Sequence, residues 1–403
     1  MRADEIENFD LAHPPAGFRD DPFTYYAALL AQAPVLRQQD GSVLLSRHAD
    51  LDMIYRDTVR FSSDKTQVFA PKFGRSSALY EHHTTSLVFN DPPLQTRVRK
   101  IMTSALTPRA ISRMEPGLIA AVDALLDQMA GKEQVDLIED YAAAIPIEII
   151  GNLLDVPKSE RAPLRDWSLA ILGALEPDID TTTLKHGNRA VEEFIIYLKE
   201  LVARRRAVAG DPDTDVLTRL IKGTEGGASL SERELLHNCI FILNAGHETT
   251  SNLIGNTLVL LQDHMDARRD LLKDPDLIPR AIEESLRFLS PNQFGNRETV
   301  EPVEIGGLRI DAGTNLHLCI GAANRDPTVF DSPDHFDIQR HPNRHLAFAG
   351  GPHVCVGLTL ARLEGRIAIR RFLDRFPDYQ LADQRQPGGR IRFRGYSSLP
   401  AQI

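Results

Sequence analysis

Basic charge, cysteine and long apolar runs are all in short supply in this chain of 403 residues. Its 46 Lys and Arg face 56 Asp and Glu, a formal charge of −10 at neutral pH. Phosphate surfaces require a basic footprint, so a general binder of nucleic acid or of anionic membrane is excluded. Three cysteines, Cys239, Cys319 and Cys355, are too few and too odd in number for a disulfide framework. They suit a reducing compartment, where a special cysteine acts as a ligand or a nucleophile. No apolar stretch reaches bilayer length and the start, Met1 to Pro15, has no signal-peptide core, which points to a cytoplasmic protein. No glycine fingerprint for NAD or flavin follows a strand, and no cysteine cluster could hold an iron–sulfur centre.

What is present suits a compact protein with a large core, since 42% of residues are hydrophobic and 25% charged. Length alone would suggest two or three domains of about 150 residues, yet no repeat, low-complexity tract or Gly/Ser linker marks a boundary. Apolar residues at spacings of three and four predict helices over Ala110–Met129, Ile138–Leu154, Thr183–Ala207 and Asp276–Leu289. Strand signals are short. Pro34 to Arg47 reads as a hairpin turning on Asp40-Gly41, and Val303 to Ile320 carries two β-rich runs around Gly306-Gly307 and Asp311-Ala312-Gly313. The fold class is mainly α with small β-sheets.

Ser231 and Glu234 form a capping-box pair, after which apolar residues continue to about Leu261. A helix of that length spans about 45 Å and must run through the core. Halfway along it, Ala245-Gly246-His247-Glu248-Thr249-Thr250 interrupts the apolar pattern with weak helix formers and polar side chains, the kind of local conflict found at functional sites. His247-Glu248 opens like a zinc-protease helix, but position 251 is Ser251 where the motif needs a second histidine. On these residues alone, back-bonding of Thr249 and Thr250 to the preceding turn competes with roles as a catalytic acid and alcohol.

Cys355 lies in a glycine-rich loop, Phe348 to Gly357, immediately before an amphipathic helix from about Leu358 to Phe372. Loop N–H groups and the positive helix end are expected to favour a thiolate there, and the glycines allow close approach of something flat. A buried inert cysteine is the competing reading. The segment resembles the haem-binding loop of the cytochrome P450 family, whose pattern FxxGxHxCxG stands here as Phe348, Gly351, His353, Cys355 and Gly357. Ala349 replaces the glycine often found beside the phenylalanine.

The resemblance implies the P450 fold as one haem domain over residues 1–403, with haem b (iron protoporphyrin IX) between the central helix and the helix after the loop, and Cys355 as the proximal thiolate ligand. Glu284-Ser285-Leu286-Arg287 is similar to the ExxR element. Without the resemblance it would read as a surface ion pair; with it, Glu284 and Arg287 form a buried network with Arg340. Ala245-Gly246-x-Glu248-Thr249 resembles the oxygen-activation motif, implying that Gly246 leaves room for dioxygen while Thr249 and Glu248 are the alcohol and acid that handle protons. Gln95, Arg99, Arg297 and His353 are implied partners of the haem propionates, with Phe348 and Gly357 against the ring. Gln95 stands where many relatives have His, and Arg97 reads equally well as a solvated charge.

With no redox centre of its own in the sequence, the chain is expected to draw electrons from NAD(P)H through a ferredoxin reductase and a ferredoxin of the two-iron or a similar type. Arg97, Lys100, Arg109, Arg362 and Arg366 are the expected docking patch. The implied reaction inserts one oxygen atom from O2 into a small apolar, aromatic or terpenoid substrate, and the chain is expected to be a monomer. Pocket walls are expected from Gln67 to Phe89, from the helices around Trp167 to Ile195, and from Phe241, Asn244, Ala245, Asn292, Gln293 and Phe294. Asn244, Asn292 and Gln293 either orient a polar substrate end or bond backbone and face away. A peroxide-driven peroxygenase and a haem carrier or gas sensor are the competing classes, and the Glu248-Thr249 pair argues against both.

Overall fold

The computed structural model describes residues 6, 8–177, 179–210, 215–223 and 227–403. Its axis is the central helix Glu232–Asp263, 32 residues long and therefore about 48 Å from end to end. Ser231 starts it by accepting a hydrogen bond from the Glu234 amide while the Glu234 carboxylate accepts from the Ser231 amide. Burial continues from Leu235 to Leu261, because the helix packs against Ala144–Leu153, Leu164–Gly173, Thr181–Ala207, Ile278–Phe288 and Leu358–Arg375. Leu243, Ile254, Leu258 and Leu261 are wholly inaccessible, and each contributes about 1.5–3 kcal/mol relative to an exposed position. A side chain at Gly255 would meet Ile138 Cδ1 at 2.8 Å, so the missing Cβ lets the chain at 138 approach closely.

Other helices begin where a side chain caps them. Thr107 accepts from the Ala110 amide ahead of Pro108–Met129, and Asp180 accepts from the Thr183 amide, starting Thr181–Ala207 two residues before the apolar pattern does. Two expected helices are divided. Within 138–154, a π-helical turn Ile138–Ala142 precedes the α-helix Ala144–Leu153. Asp136 Oδ1 holds the Ile138 amide at 2.8 Å, and Pro146 has no N–H to offer the Ala142 carbonyl, so the wider turn ends there. Over 276–289, a single 3₁₀ turn Pro275–Leu277 leads into Ile278–Phe288.

The largest sheet has five strands in the order Val35–Arg37, Val43–Leu45, Asn315–Cys319, Phe294–Thr299, Phe61–Ser62. Val43–Leu45 runs parallel to Asn315–Cys319 and the remaining pairs are antiparallel. The expected hairpin over 34–47 forms, with Val35 opposite Leu45 and Gly41 at φ +85° in its turn. A second hairpin pairs Val303–Ile305 with Leu308–Ile310 across Gly306 and Gly307. Strand Phe294–Thr299 follows the helix Ile278–Phe288 after five residues and lies between Asn315–Cys319 and Phe61–Ser62 in the sheet. Among the described residues no helix is long and apolar enough to cross a membrane.

Candidate active site

Glu284 and Arg287 lie one turn apart on Ile278–Phe288 and neither is accessible. Arg287 donates to both carboxylate oxygens at 2.7 and 2.8 Å, and spends its other donors on the carbonyls of Asn324, Pro333 and His335. Arg340 Nε reaches the same carboxylate at 3.2–3.3 Å, the Asp337 amide at 2.9 Å and Asn343 Nδ2 at 3.0 Å. Five donor groups thus satisfy one carboxylate, which fixes the loop over 333–343 against the helix. Asn343 is an addition that no sequence motif signals.

The loop before Leu358–Arg375 holds Cys355 by its amide, which donates to the Phe348 carbonyl at 3.0 Å. Gly351 takes φ +62°, and a Cβ there would lie 2.2 Å from the Tyr55 carbonyl, so only glycine fits. Ala349 takes φ +56° without being glycine. Burial raises the Cys355 thiol above its ordinary pKa, opposed by the Gly357 amide and by the charges of Arg99 and Arg362. The expected stabilisation of a thiolate by the loop is therefore present but outweighed. A metal cation at the sulfur would reverse the balance, since a coordinating thiol is deprotonated.

Between this loop and the central helix lies a cavity of about 600 Å³. Cys355, Phe348, His353 and Gly357 form one wall with Arg99 and Arg297 at its edge, and Phe241, Asn244, Ala245, Gly246 and Thr249 form the facing wall. Ala245 is exposed by surface area although it sits mid-helix in the core, so its open face is the cavity. His353 Nε2 and Arg297 Nε are buried without a partner, and burial lowers the His353 pKa to about 4. A Cβ on Gly357 would meet nothing within 4 Å. A flat group carrying a soft-ligand metal and two carboxylates fits these residues: the sulfur for the metal, and Arg99, Arg297 and His353 for carboxylates that would otherwise be buried unpaired.

Thr249 borders the cavity and donates to the Ala245 carbonyl at 2.6 Å, the back-bond that bends helices. Glu248 sits behind the wall. Its carboxylate accepts from Arg390 Nη1 at 2.6 and 2.7 Å, and Arg390 Nη2 donates to the Leu169 carbonyl. Burial nevertheless outweighs the Arg390 charge and pushes Glu248 up to about 7. Arg390 follows a Gly388-Gly389 turn with no periodic pattern around it, so sequence gave no signal for it. Glu364, on Leu358–Arg375, also borders the cavity; Oε2 has no partner and burial raises it to about 8.

Several expected positions are corrected. Gln95 is buried but does not line the cavity, because its Nε2 donates to the Pro352 carbonyl at 2.9 Å. Gln293 is likewise turned away, accepting from Tyr26 Oη at 2.9 Å and donating to the Ser290 carbonyl at 2.6 Å. Asn292 and Phe294 do border the cavity, and Asn244 does so with neither amide atom partnered. Gly246 borders it too, yet its Cβ direction is filled by Ile150 Cδ1 at 2.8 Å, so its smallness serves helix packing. Among the described residues of 167–195, only Leu172, Leu175 and Pro177 contribute lining, while His82 and His83 contribute from Ala78–Thr85. In the basic patch, Arg97 pairs with Glu234 and Arg362 with Glu283 at 2.7 Å, whereas Lys100, Arg109 and Arg366 are exposed.

Comparison with known proteins agrees with this geometry. The family model "Cytochrome P450" matches residues 172–387. The biotin biosynthesis cytochrome P450 of Bacillus subtilis is 35% identical over 371 residues, covering 91% of this chain and 92% of the relative. The vitamin D(3) 25-hydroxylase of Pseudonocardia autotrophica is 38% identical over 394 residues, covering 96% and 94%. The crystal structure of P450BioI, bound to an acyl carrier protein ligated with hexadec-9Z-enoic acid, superposes with a TM-score of 0.91 at 33% identity and covers 96% of this chain and 100% of that one. With the loop, the buried Glu284 cluster and the cavity between the loop and the central helix, these likenesses establish that the chain belongs to the cytochrome P450 family of haem monooxygenases.

Proposed function

We propose that Cys355 supplies the thiolate to haem iron and that residues 1–403 act as a single haem domain oxidising a small organic substrate with one oxygen atom from O2. The observation that carries this reading is one cavity bounded by Cys355 on one wall and by Ala245, Gly246 and Thr249 on the other. When bound, haem would supply the dioxygen chemistry, O–O cleavage included, which thiolate ligation favours. Arg99, Arg297 and His353 hold its carboxylates. Thr249 Oγ1 positions a proton at the cavity surface, releasing its bond to the Ala245 carbonyl when a better acceptor is present. Glu248, poised near neutrality, takes protons from the Arg390 side and passes them toward Thr249, while the apolar walls keep bulk water out.

Electrons come from NAD(P)H through a ferredoxin reductase and a ferredoxin in the cytoplasm, and the protein works as a monomer. The exposed Lys100, Arg109 and Arg366 support a docking surface beside the Cys355 loop. The substrate is apolar, aromatic or terpenoid with one polar end, which the aromatic lining from Phe69, Phe89, Phe241 and Phe294 supports. The test is the product formed per NADH in a reconstituted ferredoxin system. Thr249→Ala is expected to lower that ratio about tenfold or more; an unchanged ratio contradicts the proton role. Lys100→Glu with Arg109→Glu is expected to slow reduction in a salt-dependent way, and an unchanged rate removes the docking assignment.

A further inference from the structure

The segment from Gly388 to Gly395 carries three arginines at alternate positions, and they have different fates. Arg390 pairs with Glu248, and Arg394 donates to the carbonyls of Arg19 and Asp20 at 3.0 and 2.5 Å. Arg392 borders the cavity together with Leu172 at the end of the helix Leu164–Gly173, Leu175 and Pro177 just after it, and the stretch Pro291-Asn292. Its Nε donates to the Leu175 carbonyl at 3.0 Å, which fixes the direction of the guanidinium fork. Among the described residues no carboxylate lies within 4.0 Å of that fork. Part of its surface is open, yet burial pulls its pKa down, so the open part meets the enclosed cavity and not bulk water.

The surrounding acids are committed elsewhere. Glu176, the carboxylate that acts on Arg392 electrostatically, accepts from the amides of Ile391 and Arg392 at 2.8 and 3.2 Å. Asp10 and Asp40, which border the same cavity, are engaged by His13 with the Ala12 amide and by Ser42. Lys72, also in the lining, donates to the Glu176 carbonyl at 2.7 Å and brings a second cation to the same turn. A buried guanidinium whose fork pairs with no carboxylate is unfavourable even with Glu176 acting on it electrostatically, and its planar fork matches a carboxylate through two parallel N–H···O bonds. Haem's own carboxylates would be met by Arg99, Arg297 and His353, which border the cavity on the Cys355 side.

We propose that Arg392 is a specificity-determining residue whose guanidinium receives a carboxylate at one end of the substrate, so that the enzyme oxidises amphipathic organic acids. This rests on the monooxygenase reading and adds to it the chemistry of the polar end. The apolar remainder of such an acid extends along Leu172, Leu175 and Phe393 toward Thr249 and the Cys355 wall, which places the oxidised carbon away from the carboxylate.

The test titrates the haem-loaded enzyme with octanoic, dodecanoic, hexadecanoic and phenylpropanoic acids, each beside its methyl ester, reading the water-loss shift of the haem spectrum and the heat of binding. At least one acid is expected to bind about tenfold or more tightly than its ester. Arg392→Met is expected to abolish that preference and leave ester affinity within about twofold, and Arg392→Lys to retain part of it. No acid exceeding its ester in the unaltered enzyme, or equal weakening of acid and ester by R392M, overturns the proposal. So does loss of haem from R392M, which would assign Arg392 to the cofactor or the fold. A normal carbon monoxide spectrum without acid preference defeats this inference alone, whereas an abnormal one defeats the monooxygenase reading.

Discussion

Two buried glutamates, each paired with an arginine, do different things in this fold. Glu284 and its partner Arg287 are both at 0% exposure, and the carboxylate has Arg340, Asn343 and the Asp337 amide as further donors. Glu248 is 9% exposed, and Arg390, at 21%, is its sole side-chain partner among the described residues. Both pairs have short bonds, so geometry of the pair does not distinguish them. Donor number does. A carboxylate that fills its acceptor sites ties loops to a helix, whereas burial raises Glu248, with its single cation, to about 7, where it can exchange a proton at physiological pH.

Removing the anchor should give the largest effect. Glu284→Ala leaves Arg287 and Arg340 without their anion and is expected to cost about 3–5 kcal/mol, with loss of haem. Urea unfolding of the holoprotein measures it, and a cost comparable to a surface mutation would erase the contrast between the two sites. Glu248 can be probed through pH. Its folded pKa, about 7 against an ordinary 4.5, means that the neutral form is favoured by the fold. Its contribution to stability is thus complete below pH 4.5 and lost as pH rises through about 7.

Arg390→Ala removes the one cation that lowers this pKa. The alkaline end of that loss, and the corresponding limb of the pH–product profile, should move upward by roughly one unit or more. Glu248→Gln should remove the Glu248 share of that loss and leave the share from Glu364, which burial raises to about 8. A stability profile identical in the unaltered protein, R390A and E248Q would contradict the assignment of Glu248 as the titrating group. The smallest effect is expected in the Cys355 loop, where Ala349 holds φ +56°. Ala349→Gly relieves a left-handed conformation and should stabilise the holoprotein by roughly 0.5–1 kcal/mol, read as a small rise in Tm. A fall would show that the Ala methyl packs usefully against its neighbours.

The two sites also differ in how far they could be read from sequence. Glu284 and Arg287 are three apart on one helix, so their contact follows from helical periodicity, and the Cys355 loop is a contiguous pattern. The capping box at Ser231 is local in the same way. Arg390 reaches Glu248 behind the cavity wall and Arg392 reaches the cavity itself through contacts between residues 142 and 217 positions apart, and nothing in a glycine-flanked turn announces them. Gln95 and Gln293 show a second limit: an amide expected to face a ligand can be claimed by a nearby carbonyl, and that competition is settled only by the folded backbone. Gly246 shows a third, since its missing side chain serves packing against Ile150. The helix over 138–154 divided for a chemical reason visible in hindsight, the absent N–H of Pro146.

The most direct measurement is the absorption spectrum of the purified holoprotein, reduced and exposed to carbon monoxide, compared with that of Cys355→His. The unaltered protein is expected to show the strongly red-displaced Soret band of thiolate-ligated haem, and C355H a shorter-wavelength band in its place. A band at the shorter wavelength in both proteins would contradict thiolate ligation by Cys355.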